Sequence, residues 1–373
     1  MINKKIRFGE RQFDYIFGEN ILLSLSQYID KSEYGNFFII ADKGVPNDII
    51  ARAVDAFGVI APTHTIRVAD GEQHKSLDAV NQAAEEIIGL GADRRSAIVA
   101  VGGGLTGNIA GVLAGLLFRG IALIHYPTTF LAASDSVLSI KQAVNLKGGK
   151  NLVGFYYTPR LVLADTAVLS RAPQRHIRAG MCELIKNLLV GGMNEIVQLL
   201  RPDNKYTPEE IERFIEYCIE AKMTLLCEDV FEKKRGLIFE YGHTIGHALE
   251  LAEKGRLLHG EAIAAGMIYA AKIANRMELL SQRDVELHYE LLQKIGVLQD
   301  IEPAVNADAI LHYQLNDNKR GYLSMGRDQL GMVLLKGAGV PWMKNDSLIT
   351  AVNQSLIYEV LCEGIGYELV ERR

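Results

Sequence analysis

The sequence predicts an α/β fold in which a Rossmann-like parallel-sheet domain is followed by a mostly α-helical domain. Up to about residue 165, short apolar runs alternate with segments of helical spacing, which is the pattern of βαβ crossovers over a parallel sheet. Beyond about residue 170, strand signals are scarce and helical spacing dominates. We therefore expect one domain over residues 1–170 and a second domain over residues 171–373.

The elements of the first domain follow from its hydrophobic periodicity. Four apolar runs predict strands over residues 37–41, 63–68, 97–101 and 121–125. Two segments with apolar residues at helical spacing predict helices over residues 77–90 and 105–118. Because these strands and helices alternate along the chain, the strands are expected to lie parallel in one sheet.

The second domain is predicted to contain five helices. Their apolar residues recur at helical spacing over residues 177–200, 208–227, 235–253, 260–277 and 283–295. Residues 330–373 carry no functional signal. Within them, the polar residues 345–347 predict the N-terminal cap of a final helix.

Composition argues against two classes of partner. The chain has 373 residues, of which 49% are hydrophobic, and its formal net charge is −5. An acidic protein attracts neither nucleic acid nor an anionic membrane surface, so we expect neither as a partner. The four cysteines form no CxxC pair and the N-terminus has no apolar signal segment. Both features favour a cytoplasmic protein with free thiols.

A run of three glycines is the first candidate for a binding site. Gly102, Gly103 and Gly104 follow a predicted strand directly, and Leu105 and Asn108 then open a predicted helix. Glycines let backbone N–H groups approach an anion closely, and a helix N-terminus adds partial positive charge. The run therefore predicts a turn that binds nucleotide phosphates. Its spacing is not GxGxxG, so a tight strand–helix turn with no ligand is the alternative.

Polar residues that follow other predicted strands extend this candidate site. The carboxyl ends of parallel strands share one edge of a sheet, and that edge is where ligands bind in such folds. The residues concerned are Asp42, Glu72, Lys75, Thr128 and Thr129. The alternative for the two acidic residues is that each is a solvated loop residue.

A cluster of histidines and one glutamate predicts a metal site. His243 and His247 are spaced i and i+4, which places both on one face of a helix. His259 follows just before another predicted helix, and Glu183 lies in an apolar helical segment upstream. Two histidines and one carboxylate form a three-ligand site that leaves coordination positions open for substrate oxygens. The alternative is that these histidines are ordinary core or surface residues.

Basic residues near these segments predict a phosphate pocket. Several of them together would bind a phosphate group through charge-assisted hydrogen bonds. They are Lys141, Lys147, Lys150, Lys186, Lys222, Lys319 and Arg320. The alternative is a set of ordinary surface lysines.

Taken together, these segments resemble the sugar phosphate cyclases, the family that includes 3-dehydroquinate synthase. The matching segments run in family order: the glycine turn and residues 127–129, 135–141, 150–151, 183–186, 240–247 and 258–261. The resemblance implies a dehydroquinate synthase-like fold, NAD bound by the first domain, one divalent metal (Co²⁺ or Zn²⁺) held by the second, and a homodimer. It implies that Glu183, His243 and His259 are the metal ligands, which leaves His247 as a catalytic group.

The resemblance also implies roles for other polar residues. Lys141, Glu240 and His247 are expected to take part in catalysis, and Asp135, Lys186 and Lys319 to contact the substrate. The cofactor is expected to contact Asp42, Glu72, Lys75, Gly103, Gly104, Leu105, Asn108, Thr128, Thr129, Lys150 and Asn151.

Three positions depart from the 3-dehydroquinate synthase pattern. That enzyme carries Asp where this chain has Asn108, Asn where it has Glu240, and Arg where it has Gly236. Losing a cation and gaining an anion disfavours a substrate carboxylate. The departures fit the branch of the family that cyclises glucose 6-phosphate on the way to the 2-deoxystreptamine core of aminoglycoside antibiotics.

Three alternatives to this function are kept. The first is 3-dehydroquinate synthase itself or another sugar phosphate cyclase. The second is a metal-dependent alcohol or glycerol dehydrogenase, which would release NADH and have less use for the lysines. The third is an inactive regulatory protein that binds NAD without turning over any sugar phosphate.

Overall fold

The computed structural model describes residues 1–314 and 325–366, which form two compact units. The first unit consists of Met1–Ile177 and Tyr206–Met223. The second consists of Arg178–Lys205 and the described residues from Thr224 onward. Each unit carries a different part of the predicted site.

The first unit is built on a seven-stranded sheet whose strand order is β1-β2-β9-β6-β5-β3-β4. Neighbouring strands are parallel, except that β1 runs antiparallel to β2. A separate antiparallel hairpin, β7–β8, follows the glycine turn. The strands are β1 (Ile2–Phe8), β2 (Arg11–Gly18), β3 (Asn36–Asp42), β4 (Thr63–Val68), β5 (Ser96–Gly102), β6 (Ala122–Pro127), β7 (Lys141–Leu146), β8 (Gly149–Tyr156) and β9 (Leu161–Asp165). The predicted α/β fold is confirmed.

Helices cover both faces of this sheet. They are α1 (Asn47–Gly58), α2 (Leu77–Gly89), α3 (Gly104–Leu116), α4 (Phe130–Ser134) and α5 (Thr166–Leu169). Side chains alternate across a strand, so Phe37 and Ile39 of β3 pack with α1, whereas Phe38 and Ile40 pack with α2 and α3. Because both faces of the central strands are buried, these strands read as continuous apolar runs, which is why they could be predicted from the sequence.

The second unit is mostly helical. Its helices are α8 (His243–Ala252), α9 (His259–Arg276), α10 (Gln282–Lys294), α11 (Ala307–Gln314) and α12 (Gln354–Cys362), and two helices contain residues of both units, α6 (Gln174–Gly191) and α7 (Pro208–Leu226). Four short strands form two antiparallel pairs, β10 (Gln329–Val333) with β13 (Ile349–Asn353) and β11 (Leu335–Gly337) with β12 (Val340–Pro341).

Two local predictions for this unit are wrong. The helix predicted over residues 235–253 is interrupted, because Gly242 adopts a left-handed φ of 77° and α8 begins only at the next residue. A Cβ on Gly242 would lie 2.7 Å from Cγ of Met267, so the close approach of α9 also requires glycine there. The polar residues 345–347 do not cap a helix: Asn345 and Asp346 lie in a turn with positive φ, and α12 follows Asn353 instead.

In the part of the chain that the structure describes, no helix has the length and apolar character needed to cross a membrane.

Candidate cofactor and metal sites

The glycine turn lies where β5 ends and α3 begins. No side chain of the described residues caps the N-terminus of α3. Its first backbone N–H groups are therefore available to an anion, and the helix dipole favours one. A small cavity opens at this point, and its lining residues are Ala100, Gly102, Gly103, Gly104, Gly107, Asn108, His125, Pro127, Ala132, Ser136, Val137 and Gln142.

Gly102 and Gly104 of the turn differ in how much room the fold leaves for a side chain. A Cβ on Gly102 would lie 2.6 Å from Oγ1 of Thr106, so this glycine is needed by the fold itself. A Cβ on Gly104 would lie 3.6 Å from Oγ of Ser136, which is an ordinary contact. The fold alone therefore does not require Gly104, whereas the close approach of a ligand to the backbone would.

Asn108 holds the glycine turn against the β7–β8 hairpin. Its Nδ2 donates to the carbonyl oxygen of Gly104 at 2.8 Å, and its Oδ1 accepts from the backbone N–H of Ala143 at 2.9 Å. Asn108 was predicted to contact the cofactor. In the structure, both ends of its amide bond to backbone, so it positions the turn.

A polar network joins the loop around Glu72 to the β7–β8 hairpin. Nζ of Lys150 lies 3.2 Å from Oε1 of Glu72, and Nζ of Lys75 donates to Oδ1 of Asn151 at 2.6 Å. Asn145, which the sequence analysis missed, donates to Oε1 of Glu72 at 2.8 Å and accepts from the N–H of Asn151 at 2.8 Å. Four predicted cofactor residues are thus held in one cluster.

The remaining predicted cofactor residues lie at the carboxyl ends of their strands. Asp42, at the end of β3, accepts a hydrogen bond of 2.6 Å from Oγ1 of Thr106 in the first turn of α3. The N–H of Thr128 donates to the carbonyl of Gly102 at 3.0 Å, and Thr129 caps α4 through its hydroxyl. Leu105, in the first turn of α3, is half-buried.

Two further predicted residues of the first unit lie on the segment after α4. Asp135 follows α4 directly, and its Oδ1 lies 2.9 Å from Nζ of the buried Lys222. Lys141 is the first residue of β7 and is half-buried. It shares a face of that strand with Asn145, because alternate residues of a strand point the same way. Lys319 lies outside the described residues.

A buried carboxylate anchors the candidate metal site of the second unit. Glu183 of α6 is fully buried, and Nζ of Lys186, one turn later, lies 2.5 Å from its Oε2. Among the described residues, Oε1 of Glu183 accepts no hydrogen bond. It lies 3.8 Å from Nε2 of His243 and 3.6 Å from Nε2 of His259. A buried carboxylate oxygen that faces two imidazole nitrogens fits a divalent cation.

Three histidines converge on this position. Donor atoms of His243, His247 and His259 all lie within 4.8 Å of one another. Two overlapping sets of three ligands are therefore available: the three histidines, or Glu183 with His243 and His259 as the resemblance implies. His243 and His259 belong to both sets, so the sets differ only in their third member.

The fold prepares His243 for a metal. Burial and the charge of Lys186 lower the pKa of His243 well below its usual value, which favours the neutral imidazole that binds metals. Its Nδ1 lies 3.1 Å from the carbonyl oxygen of Tyr241. Because a carbonyl only accepts, Nδ1 carries the proton and Nε2 is left with a lone pair. Glu240 is the last residue of the 3-10 helix before Tyr241. Its negative charge raises the pKa of His243 and so partly opposes the effects of burial and Lys186.

The structure explains why glycine stands at position 236. A Cβ there would lie 2.9 Å from Cδ2 of Leu226 and 3.1 Å from both Oδ2 of Asp229 and Cγ of Glu232. The N–H of Gly236 also donates to Oδ2 of Asp229 at 2.8 Å. The acidic turn at 229–232 therefore fills the space, and an arginine cannot be added without moving it.

Other residues around the metal cluster were missed from the sequence. Glu261 is fully buried, accepts from the N–H of Leu258 at 2.9 Å, and lies 3.5 Å from Nη2 of Arg178. A Cβ on Gly260 would lie 1.8 Å from the carbonyl oxygen of Ala179, so α9 begins directly against the backbone of α6. The signal was present, since a glutamate three residues after a helix start is typical of an N-terminal cap.

The family models that match the chain divide it into two parts. Residues 65–179 match the 3-dehydroquinate synthase N-terminal model, and residues 180–320 match the 3-dehydroquinate synthase C-terminal model. The 2-deoxy-scyllo-inosose synthase of Niallia circulans is 57% identical over 369 residues, which cover 98% of this chain and 100% of that protein.

Two solved structures are also similar to this chain. A crystal structure of 2-deoxy-scyllo-inosose synthase complexed with carbaglucose-6-phosphate, NAD⁺ and Co²⁺ has a TM-score of 0.93 and 56% identity, covering 97% of this chain and 100% of that one. The 2-epi-5-epi-valiolone synthase of Streptomyces hygroscopicus subsp. jinggangensis, with NAD⁺ and Zn²⁺ bound, has a TM-score of 0.78 and 22% identity, covering 94% and 96% of the two chains. The second likeness is one of fold alone.

Proposed function

The chain belongs to the 3-dehydroquinate synthase family, and we propose that it forms 2-deoxy-scyllo-inosose, the compound for which its relatives are named, from D-glucose 6-phosphate with release of inorganic phosphate. The enzyme is a sugar phosphate cyclase that uses NAD and one divalent metal. Its product would enter the biosynthesis of aminoglycoside antibiotics built on 2-deoxystreptamine.

One observation in the structure favours a sugar phosphate cyclase over an NAD-dependent dehydrogenase. Lys186 is buried against Glu183, so a cation lies within one turn of the proposed metal ligand. Elimination of phosphate develops negative charge on the leaving group, and a nearby ammonium stabilises that charge. A reaction that only moves a hydride needs no such cation.

The filled space at Gly236 supports a substrate without a carboxylate. The turn at 229–232 leaves no room for the arginine that 3-dehydroquinate synthases carry there, and Glu240 adds a negative charge four residues later. A seven-carbon acid would meet an anion where it needs a cation. The hydroxyl groups of glucose 6-phosphate, in contrast, can donate hydrogen bonds to Glu240.

NAD and the metal supply, respectively, a reversible hydride acceptor and a Lewis acid for sugar hydroxyls. Phosphate can leave C6 only after the C5 proton is made acidic by a ketone at C4. Once C4 is reduced again and the pyranose ring opens, the C5–C6 enolate attacks the C1 aldehyde and closes the carbocycle. Hydride returns to the sugar, so no net oxidation results.

The proposed roles of the side chains follow from their chemistry. His247 and Glu240 are the candidates for proton transfer on the side of the metal, since both can gain and lose a proton near neutral pH in a suitable environment. Lys141 would bind the phosphate or relay a proton, and Asp135 and Lys186 would contact the substrate. For the cofactor we propose the cluster of Glu72, Lys75, Lys150 and Asn151 together with the glycine turn.

The proposed function is tested by supplying NAD, Co²⁺ and glucose 6-phosphate to the purified protein. Inorganic phosphate and NADH absorbance are followed together, with the seven-carbon acid phosphate of 3-dehydroquinate synthase as the parallel substrate. We expect phosphate from glucose 6-phosphate and no lasting NADH. Phosphate from the seven-carbon acid alone would contradict the proposal in favour of 3-dehydroquinate synthase, and steady NADH without phosphate would indicate a dehydrogenase.

We propose Glu183, His243 and His259 as the metal ligands, and we assign His247 to proton transfer. Oε2 of Glu183 is paired with Lys186, whereas the buried Oε1 accepts no hydrogen bond from the described residues and faces Nε2 of His243 and His259, so a cation there would compensate it. Glu183→Gln should therefore lose tight Co²⁺ binding, whereas His247→Ala should keep it and lose turnover. The reverse result, measured by Co²⁺ titration of the metal-free variants, would assign the site to the three histidines.

We also propose that the protein acts as a homodimer in the cytoplasm. The proposal is supported by the family resemblance and by four cysteines that form no disulfide among the described residues. Sedimentation of the purified protein at micromolar concentration measures the oligomeric state, and a monomer would contradict the first part.

A further inference from the structure

A glutamate that the proposed mechanism does not use lies on the metal-facing side of α8. His243, His247 and Glu250 are spaced i, i+4 and i+7, so the three side chains share one face of the helix. Oε2 of Glu250 lies 2.9 Å from Nδ1 of His259. The carboxylate side chain is 11% exposed, so water competes little for this contact.

The contact between Glu250 and His259 fixes the tautomer of the imidazole. An ionised carboxylate can only accept a hydrogen bond, so Nδ1 of His259 must carry the proton. The other nitrogen, Nε2, then presents its lone pair, and it lies 3.6 Å from Oε1 of Glu183. This lone pair is therefore directed at the proposed metal position.

The two histidines in the proposed ligand set are oriented by different acceptors. Nδ1 of His243 bonds to a neutral backbone carbonyl, that of Tyr241. Nδ1 of His259 bonds to a charged carboxylate. A carboxylate on the far nitrogen raises the basicity of an imidazole ligand, and loss of such an outer partner typically weakens metal binding.

The backbone at His259 is already fixed without Glu250. The carboxylate of Glu261 caps the start of α9 by accepting from the N–H of Leu258. Gly260 lies directly against the backbone of α6 at Ala179. What remains is rotation of the His259 ring about its own side-chain bonds, and the bond to Glu250 limits that rotation.

We propose that Glu250 is a positioning residue of the metal centre, which holds the ring of His259 and strengthens its Nε2 as a ligand for a divalent cation. The inference rests on the proposed metal-dependent function. Glu250 does not touch the metal itself, and its effect is transmitted through His259.

The test is Co²⁺ binding to the full-length metal-free protein, measured by competition with a chromophoric chelator and without substrate. Glu250→Ala should lower Co²⁺ affinity by about 10–100-fold. Glu250→Gln should cause a smaller loss, because its amide oxygen still accepts from Nδ1–H but carries no charge. The visible absorption of bound Co²⁺ should change in Glu250→Ala, since the ring of His259 is no longer held.

Glu286→Ala is the matched control, because Glu286 is an exposed helical glutamate that, among the described residues, pairs with the surface residue Arg283 at 3.6 Å. It should bind Co²⁺ as the unchanged protein does. Thermal unfolding of the metal-free variants and NAD binding should match the unchanged protein, which separates positioning from misfolding. If Glu250→Ala does not fold, Glu250→Gln carries the test alone.

Unchanged Co²⁺ affinity and absorption in both Glu250 variants would overturn this inference and leave the proposed function intact. Absence of Co²⁺ binding in the unchanged protein would overturn the metal-dependent function and this inference with it.

Discussion

The glycine turn of the first unit and the histidine cluster of the second differ in how their polar atoms are satisfied. In the first, donors meet acceptors: Asn108 bonds to backbone at both ends of its amide, and Asn145 joins Glu72 to Asn151. In the second, acceptors face one another, because Oε1 of Glu183 points at the Nε2 atoms of two histidines. The polar side chains of the first site are paired by the fold itself, whereas those proposed as metal ligands in the second site would be paired by a bound cation.

This difference predicts how each site responds to substitution. A side chain of the first site holds backbone segments in place, so its loss should weaken the cofactor site gradually. A proposed ligand of the second site would act mainly on the ion, so its loss should remove metal binding while the fold persists. The following predictions test that contrast.

His243→Ala should show the largest effect, with Co²⁺ binding and turnover both reduced to background. The substitution removes a ligand common to both possible sets and leaves each set with two donors instead of the three of a catalytic site. NAD binding should be unchanged, since the glycine turn belongs to the other unit. Co²⁺ titration, NAD titration and phosphate release measure the three quantities.

His243→Ala should also differ from the unchanged protein in how Co²⁺ affects its thermal stability. A metal at about 100 times its Kd stabilises a protein by about 2.7 kcal/mol, provided that it binds only the folded state. Added Co²⁺ should therefore raise the melting temperature of the unchanged protein and not that of His243→Ala. Normal metal content in the variant would show that His243 is not a ligand. The expected difference between the two sites in their response to substitution would then be wrong.

Acid should destabilise both units by a smaller amount through one buried histidine in each. Burial lowers the pKa of His125 in the first unit and of His288 in the second to about 4. In the unfolded chain both pKa values are about 6.5, so the unfolded chain binds protons first as the pH falls. Stability should be constant above pH 6.5 and fall between pH 6.5 and 4, by up to about 3 kcal/mol per histidine.

His125→Leu isolates this effect, because His125 makes no hydrogen bond within the described part of the chain. His288, in contrast, bonds to the hydroxyl of Tyr241 at 2.8 Å and to the carbonyl of Asp284 at 2.7 Å. The free energy of unfolding, measured in urea, should fall less between pH 7 and pH 4.5 for the variant than for the unchanged protein. An identical loss would mean that His125 takes up its proton while folded.

The parts of the fold that sequence could predict are those with a strong period. The runs 37–41 and 97–101 are buried on both faces and read as strands, and the helix over 77–90 carries one apolar face. The hairpins β1–β2 and β7–β8 were missed, because polar residues occupy one face of each and weaken the apolar signal. The break at Gly242 was missed for another reason, since only the packing of α9 requires it.

The candidate site also contains residues that the sequence could predict and residues that it could not. The histidine spacing and the glycine run are local patterns, so they located both clusters in the chain. Asn145, Glu250 and Arg178 were missed, because their roles depend on partners 73, 9 and 83 residues away. Glu250 carries a partial local signal, as it extends the histidine face of α8 by one turn. Long-range pairs of this kind become visible only once the chain is folded.

Asn108→Ala should have a smaller effect than His243→Ala or His125→Leu. It tests directly whether the cofactor site weakens gradually when a side chain is lost. It removes one hydrogen bond to Gly104 of the glycine turn and one from Ala143 of β7, each contributing about 0.5–1.5 kcal/mol. Because the turn is held by other contacts as well, we expect NAD affinity to fall by roughly 10-fold and Co²⁺ binding to stay unchanged. Asn108→Asp should lie between, since its carboxylate still accepts from Ala143 but can no longer donate to Gly104. The matched control is Asn306→Ala, which removes one exposed helix-capping bond in the second unit. If Asn108→Ala bound NAD as well as the control does, the hairpin would not be what holds the turn in its binding shape.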